Sequence, residues 1–187
     1  MLGGACVLAP VAQAAGAETG GAPVVSSQPA SDGAPGGESF VAPAGRARLV
    51  AGRATAPADA PAPVIAAVAA ANRLVGKPYR YGGGHASFSD SGYDCSGAVS
   101  YALRGGRLLR SPLDSSAFMR WGARGPGRWI TVYTNPGHAY VVIAGLRFDT
   151  SLGDRSQARR SQVTGTGPRW GGPRSPQGFV ARHPVGL

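Results

Sequence analysis

Cys95 stands in the run Asp94-Cys95-Ser96-Gly97, with Ala98-Val99-Ser100-Tyr101-Ala102-Leu103-Arg104 behind it and Gly105-Gly106 after that. The run reads as a capped helix: Asp94 is an N-cap residue type and Gly105 a C-terminal stop. Cys95 therefore falls in the first turn. There the unsatisfied backbone N–H groups and the helix dipole favour a thiolate, which makes the cysteine a candidate nucleophile. Gly97 keeps its approach open. Position alone is weak evidence, because free cysteines are often buried packing residues.

A base for this thiol comes from a hairpin. Residues 138–143 and 146–151 alternate in strand fashion around Ala144-Gly145. With Ala144-Gly145 as a two-residue loop, His138 faces Ser151 and Tyr140 faces Asp149. Side chains two apart share a face, so His138, Tyr140, Asp149 and Ser151 project together, with Asp149 diagonal to the imidazole. Ala139, Val141, Ile143, Phe148 and Thr150 take the opposite, packing face. A three-residue loop would shift the register by one and present Thr150 to His138 instead. Cysteine, histidine and aspartate would together make a thiol, an imidazole base and a group that orients the base.

These residues need elements to hold them. Val64, Val68, Ala71 and Val75 recur at helical spacing between Pro63 and Gly76, which predicts a helix over 64–75. Lys77-Pro78-Tyr79-Arg80-Tyr81 continues as an extended aromatic segment into the glycine loop Gly82-Gly83-Gly84. A short helix is expected near 115–121, a strand over 128–133 before a turn at Asn135-Pro136-Gly137, and a last strand over 178–182. Helices first and antiparallel strands second make the class α+β.

Composition bounds the rest. The chain has 187 residues, 30 Gly, 16 Pro and a net charge of +10, which suits one ordinary domain with a tail. No run reaches the roughly 18 to 20 apolar residues that cross a bilayer, and no heptad or fixed-period repeat is present. Residues 1–62 carry three arginines (Arg46, Arg48, Arg53) against four acids (Glu18, Asp32, Glu38, Asp59), so the basic excess belongs to residues 63–187. Such a domain is attracted to polyanions, whether nucleic acid, anionic lipid or the acidic polymers of a bacterial wall. The short apolar start closes on Ala12-Gln13-Ala14, which matches a signal-peptidase site and predicts a signal peptide over 1–14 and export. Cys6 lies within it, so a disulfide with Cys95 is not expected. Residues 15–62, rich in Ala, Pro, Gly and Ser, read as a disordered linker.

Taken in order, Tyr79-Arg80-Tyr81-Gly82-Gly83, Asp94-Cys95-Ser96-Gly97 and Gly137-His138-Ala139-Tyr140-Val141-Val142-Ile143 resemble the NlpC/P60 family of bacterial cell-wall cysteine peptidases. The resemblance covers about residues 63–151. It implies a papain-like α+β fold in which N-terminal helices pack on an antiparallel sheet, with residues 63–187 as the catalytic domain. It also implies Cys95 as nucleophile, His138 as general base and later general acid, and Asp149 as orienter. Tyr79 or Tyr81 would line the groove, Asp94 and Ser96 would contact the peptide, and the Cys95 backbone N–H would serve the oxyanion. The implied reaction is hydrolysis of an amide in the peptidoglycan stem peptide, of the D-γ-glutamyl–diaminopimelate type, outside the cell and without metal or organic cofactor. A wall-binding module without activity and a thiol acyltransferase or amidase would use the same scaffold. The third position is more often His, Asn or Gln in the family, and here it is Asp149.

Other candidates are weaker. His85 and His183 read as solvated residues, and three scattered histidines with these cysteines give no metal-ligand spacing. The arginines of the tail, Arg155, Arg159, Arg160 and Arg169, come without a nucleic-acid motif; solvation or contact with anionic wall polymer accounts for them. Trp121, Trp129 and Trp170 read as core residues.

Overall fold

The computed structural model describes residues 45–151 and 167–187. The expected signal peptide, the linker up to residue 44 and Arg155, Arg159 and Arg160 lie outside the described residues.

Helix α1 (Ala62–Leu74) begins two residues ahead of its apolar pattern, with Pro63 inside its first turn, where the missing N–H costs nothing. It buries Val64, Ala67, Val68, Ala71 and Leu74. Val75, expected on that face, packs against the core while serving as the C-cap. Helix α2 (Cys95–Gly105) follows the glycine loop and packs against α1. Gly105 allows the close approach, since a Cβ there would lie 2.2 Å from that of Ala70. A single turn, α3 (Ser115–Phe118), is capped by Asp114 and seals Phe118 into the core.

The sheet is antiparallel throughout and has the order β3-β8-β4-β5-β6-β7. Its strands are β3 (Ala123–Arg124), β4 (Ile130–Asn135), β5 (His138–Ile143), β6 (Leu146–Asp149), β7 (Arg169–Gly171) and β8 (Val180–His183). Helix α2 lies against the central β5 and β6, and Val99, Leu103, Ile130, Val141, Ile143 and Phe148 fill the space between. The class is α+β, with the helices packed on the antiparallel sheet as expected.

Two readings need correction. Residues 45–61, expected to be linker, form a hairpin of β1 (Arg48–Val50) and β2 (Arg53–Thr55) joined to the domain. Ala47 N–H donates to the Ala144 carbonyl at 2.9 Å. The Asn72 side chain bridges both backbone groups of Ala54, accepting from its N–H at 2.9 Å and donating to its carbonyl at 2.8 Å. The segment is held by main-chain hydrogen bonds and small buried alanines, so its low hydrophobicity disguised it. In the tail, β8 meets the expected last strand, and β7 is a strand the sequence reading did not include. Trp170 is buried against Phe148, and its Nε1 donates to Asn72 Oδ1 at 2.9 Å. Arg169 is not a solvated cation: it is 2% exposed, and its Nε donates to the Gly167 carbonyl.

The β5–β6 register pairs Val141 with Phe148 and Ile143 with Leu146. The loop is therefore the two residues Ala144-Gly145, at φ +46 and +78. Positive φ at both positions is the geometry of the hairpin turn whose twist matches its strands.

Candidate active site

Helix α2 begins at Cys95 because Asp94 stops the extended chain and caps it, its Oδ1 accepting from Gly97 N–H at 2.8 Å. The other Asp94 oxygen accepts from Gly82 N–H at 3.1 Å. Asp94 N–H in turn donates to the Gly83 carbonyl. The glycine loop is thus laid on the first turn of α2. Gly97 is the residue that admits it, since a Cβ there would sit 2.0 Å from the Gly83 oxygen. Gly97 makes room for this loop of the chain rather than for an open approach to the thiol.

Strand β5 passes the head of α2, which brings His138 and the Ala139 N–H to the half-buried Cys95 sulfur. Burial pushes the thiol up, but hydrogen bonds from His138 and from the Ala139 backbone, with the imidazolium charge, bring it below its ordinary value. His138 Nε2 lies 2.9 Å from Asp149 Oδ1, which leaves Nδ1 for the sulfur. Burial alone would lower the imidazole; the Asp149 and Cys95 hydrogen bonds and charges outweigh it and raise His138 to about 9. The two shifts run in the same sense, toward thiolate on Cys95 and imidazolium on His138.

Asp149 is 2% exposed and lies among donors. Its Oδ1 also accepts from Ser151 N–H at 2.9 Å and its Oδ2 from Ser151 Oγ at 2.9 Å. Arg147 and Arg174 each reach Oδ2 at 3.4 Å. Burial would raise the carboxyl, yet the hydrogen bonds from His138 and Ser151 hold it below its ordinary value. His138 is framed by Phe179, whose ring meets it edge-on at 6.2 Å, and by Tyr140 at 6.4 Å.

The residues expected to touch a ligand divide in two. Tyr79 and Tyr81 are exposed, at 41% and 94%. Main-chain bonding of residues 78–80 to Tyr93 runs this segment beside α2. Burial chiefly, then the negative charges of Cys95 and Asp94, raises the Tyr79 phenol, which marks it as a neighbour of the thiol. Asp94 and Ser96 are buried, at 7% and 3%, and their polar atoms serve the chain itself. His85, read as a solvated loop residue, joins them: its Nε2 lies 3.0 Å from Asp94 Oδ1 and 3.2 Å from Ser96 Oγ. His183 is half-buried, with Nδ1 on the Gly125 carbonyl at 2.9 Å. Arg147, Arg174 and Phe179 escaped sequence reasoning, although pleat parity puts Arg147 on the face of Asp149 and Phe179 stands at the head of a strand pattern. Among the described residues, no three His, Cys, Asp or Glu gather as metal ligands.

No protein-family model matches the chain, and neither does any curated protein. Solved structures do. The chain is similar to RipB, a peptidoglycan hydrolase of Mycobacterium tuberculosis, at 20% identity and a TM-score of 0.48, over 67% of this chain and 66% of that one. It therefore spans just under two thirds of the RipB chain. It is also similar to a protein of the same organism described as a hypothetical invasion protein, at 19% identity and a TM-score of 0.45, over 75% and 69% of the two chains. The resuscitation promoting factor interacting protein RipA, in a mutated form, aligns at 20% identity with a TM-score of 0.45, over 76% and 70%.

Proposed function

We propose that this protein is a cysteine peptidase of the bacterial cell wall, acting outside the cell on an amide of the peptidoglycan stem peptide. The observation that carries the reading is the chain of contacts from Cys95 at a helix N-terminus, through His138, to the buried Asp149. The Cys95 thiolate attacks the amide carbonyl. The Cys95 backbone N–H at the head of α2 faces the developing oxyanion, and the imidazolium of His138 gives its proton to the leaving amine. Water, deprotonated by the now neutral His138, releases the acyl group and restores the thiolate. Tyr79, whose phenol feels the Cys95 charge, and the exposed Tyr81 two residues on offer aromatic surface for the substrate. No cofactor enters any step.

The choice of peptidoglycan, and of the D-γ-glutamyl–diaminopimelate bond within it, rests on the motif resemblance. The basic excess of residues 63–187 suits a substrate embedded in anionic wall polymers. The test is digestion of purified peptidoglycan by the full chain beside Cys95→Ala, with the fragments identified by mass. New stem-peptide termini that vanish in the variant are expected. A folded wild-type protein that releases nothing but co-sediments with the wall would replace this reading with a binding module. Transfer of the acyl group to an added amine in preference to water would replace it with a transferase.

A further inference from the structure

Beyond β7 the chain returns across the face of the sheet that carries His138, Tyr140 and Asp149, and Arg174 is the residue it lays there. The Arg174 guanidinium sits over two rings, 4.9 Å from the centre of Phe179 and 5.4 Å from that of Tyr140. One nitrogen, Nη1, lies 2.9 Å from Ser151 Oγ and 3.4 Å from Asp149 Oδ2. Its side chain is 33% exposed, whereas Arg147 and Arg169 are almost wholly buried. Asp149 is thus gripped from both sides, with His138 on Oδ1 and Arg174 on Oδ2.

We propose that Arg174 is a positioning residue of this site, which draws on the outer oxygen of Asp149 so that the carboxylate aligns His138 without holding its proton too tightly. The need follows from the chemistry. A neutral orienting group would leave the imidazolium acidic, but a full carboxylate at 2.9 Å stabilises it, and an imidazolium that is too stable is a poor acid for the leaving amine. A guanidinium on the opposite oxygen offsets part of that hold. The charged and titratable groups around the pair are Cys95 from α2, Tyr140 from β5, Arg147 from β6, Arg169 from β7 and Arg174 itself. Arg174 lies outside the sheet and its side chain is partly exposed, so it is the arginine that can be replaced with least disturbance. The raised proton affinity of His138 that persists beside three arginines agrees with a carboxylate in need of counterweight.

The inference rests on the thiol–imidazole reading of the site, and its test avoids any substrate. The His138 imidazole is titrated by NMR in the full chain, with its signal assigned through His138→Gln, for the wild type and for Arg174→Gln, Arg174→Met and Arg174→Lys. Met keeps an unbranched stem against Phe179 and Tyr140 should Gln loosen them. Each variant is repeated in the Cys95→Ala background, where no thiolate enters. The neutral variants are expected to move the titration upward by about 0.5 to 1 pH unit, the partial exposure of Arg174 limiting the effect, and Lys is expected to leave it near the wild-type position. No movement, a downward movement, or a Lys variant that shifts as far as Gln would each overturn the proposal. Failure to digest peptidoglycan would sink the proposed function without touching this titration.

Discussion

His138 Nε2 and Asp149 Oδ1 are 2.9 Å apart although the two residues are diagonal, not opposite, on the β5–β6 hairpin. The diagonal matters because it lets the carboxylate meet the imidazole edge-on while Ser151, which is next on that face, holds the carboxylate from behind. Replacement of Asp149 by Ala is expected to lower hydrolysis by roughly 10²- to 10⁴-fold, the range for losing an orienting acid in a nucleophile–base–acid site. Asp149→Asn keeps the shape but not the charge, so the alkaline limit of activity, near 9 for His138, should fall toward 6.5. Rates of fragment release measured from pH 5 to 10 check both.

The lowered Cys95 thiol predicts an iodoacetamide alkylation curve displaced to lower pH than that of an ordinary thiol. His138→Gln removes the hydrogen bond and charge that oppose burial, so the alkylation curve should move to higher pH than in the wild type. Equal curves for the two proteins would show that the imidazole does not activate the thiol.

The same pairing contributes to stability with a definite sign. His138 binds its proton more tightly folded than unfolded, so its contribution is complete below about 6.5 and lost as pH rises through about 9. Asp149 is lowered, so its contribution is present above the ordinary carboxylate range and lost as acid titrates the folded group. Thermal melting against pH should therefore fall at both ends, and Asp149→Asn should flatten both slopes.

Asn72 ties three parts of the chain together, since its side chain serves both backbone groups of Ala54 and accepts from Trp170 Nε1. Three hydrogen bonds at roughly 1 kcal/mol each predict a loss of about 2 to 3 kcal/mol for Asn72→Ala. Urea unfolding of wild type and variant measures it.

Ala51 is the first residue of the β1–β2 turn, at φ +47 and followed by Gly52 at φ +76. It is exposed, and asparagine prefers this conformation where alanine does not. Ala51→Asn should stabilise the protein by about 0.5 to 1 kcal/mol, and an unchanged or lower urea midpoint would refute the turn assignment.

The sequence by itself determined what depends on neighbours along the chain. Asp94 caps α2 across three residues, which places Cys95 in the first turn wherever the helix sits. The two residues Ala144-Gly145 fix the hairpin parity and so put His138 and Asp149 on one face. Tertiary structure decided everything that joins distant segments. That Ala139 and His138 meet the Cys95 sulfur depends on β5 packing beside the head of α2. The β1–β2 hairpin was hidden because its attachments are backbone groups and the Asn72 amide, which leave no apolar period to read. Strand β7 has three residues, too few for alternation to register. Arg174 stands among prolines and serines, and only the return of the chain over the sheet carries its guanidinium to Asp149, 25 residues away. Local hydrogen bonding and pleat parity are written in adjacent residues; charge balance around a buried carboxylate arises only when the chain has closed around it.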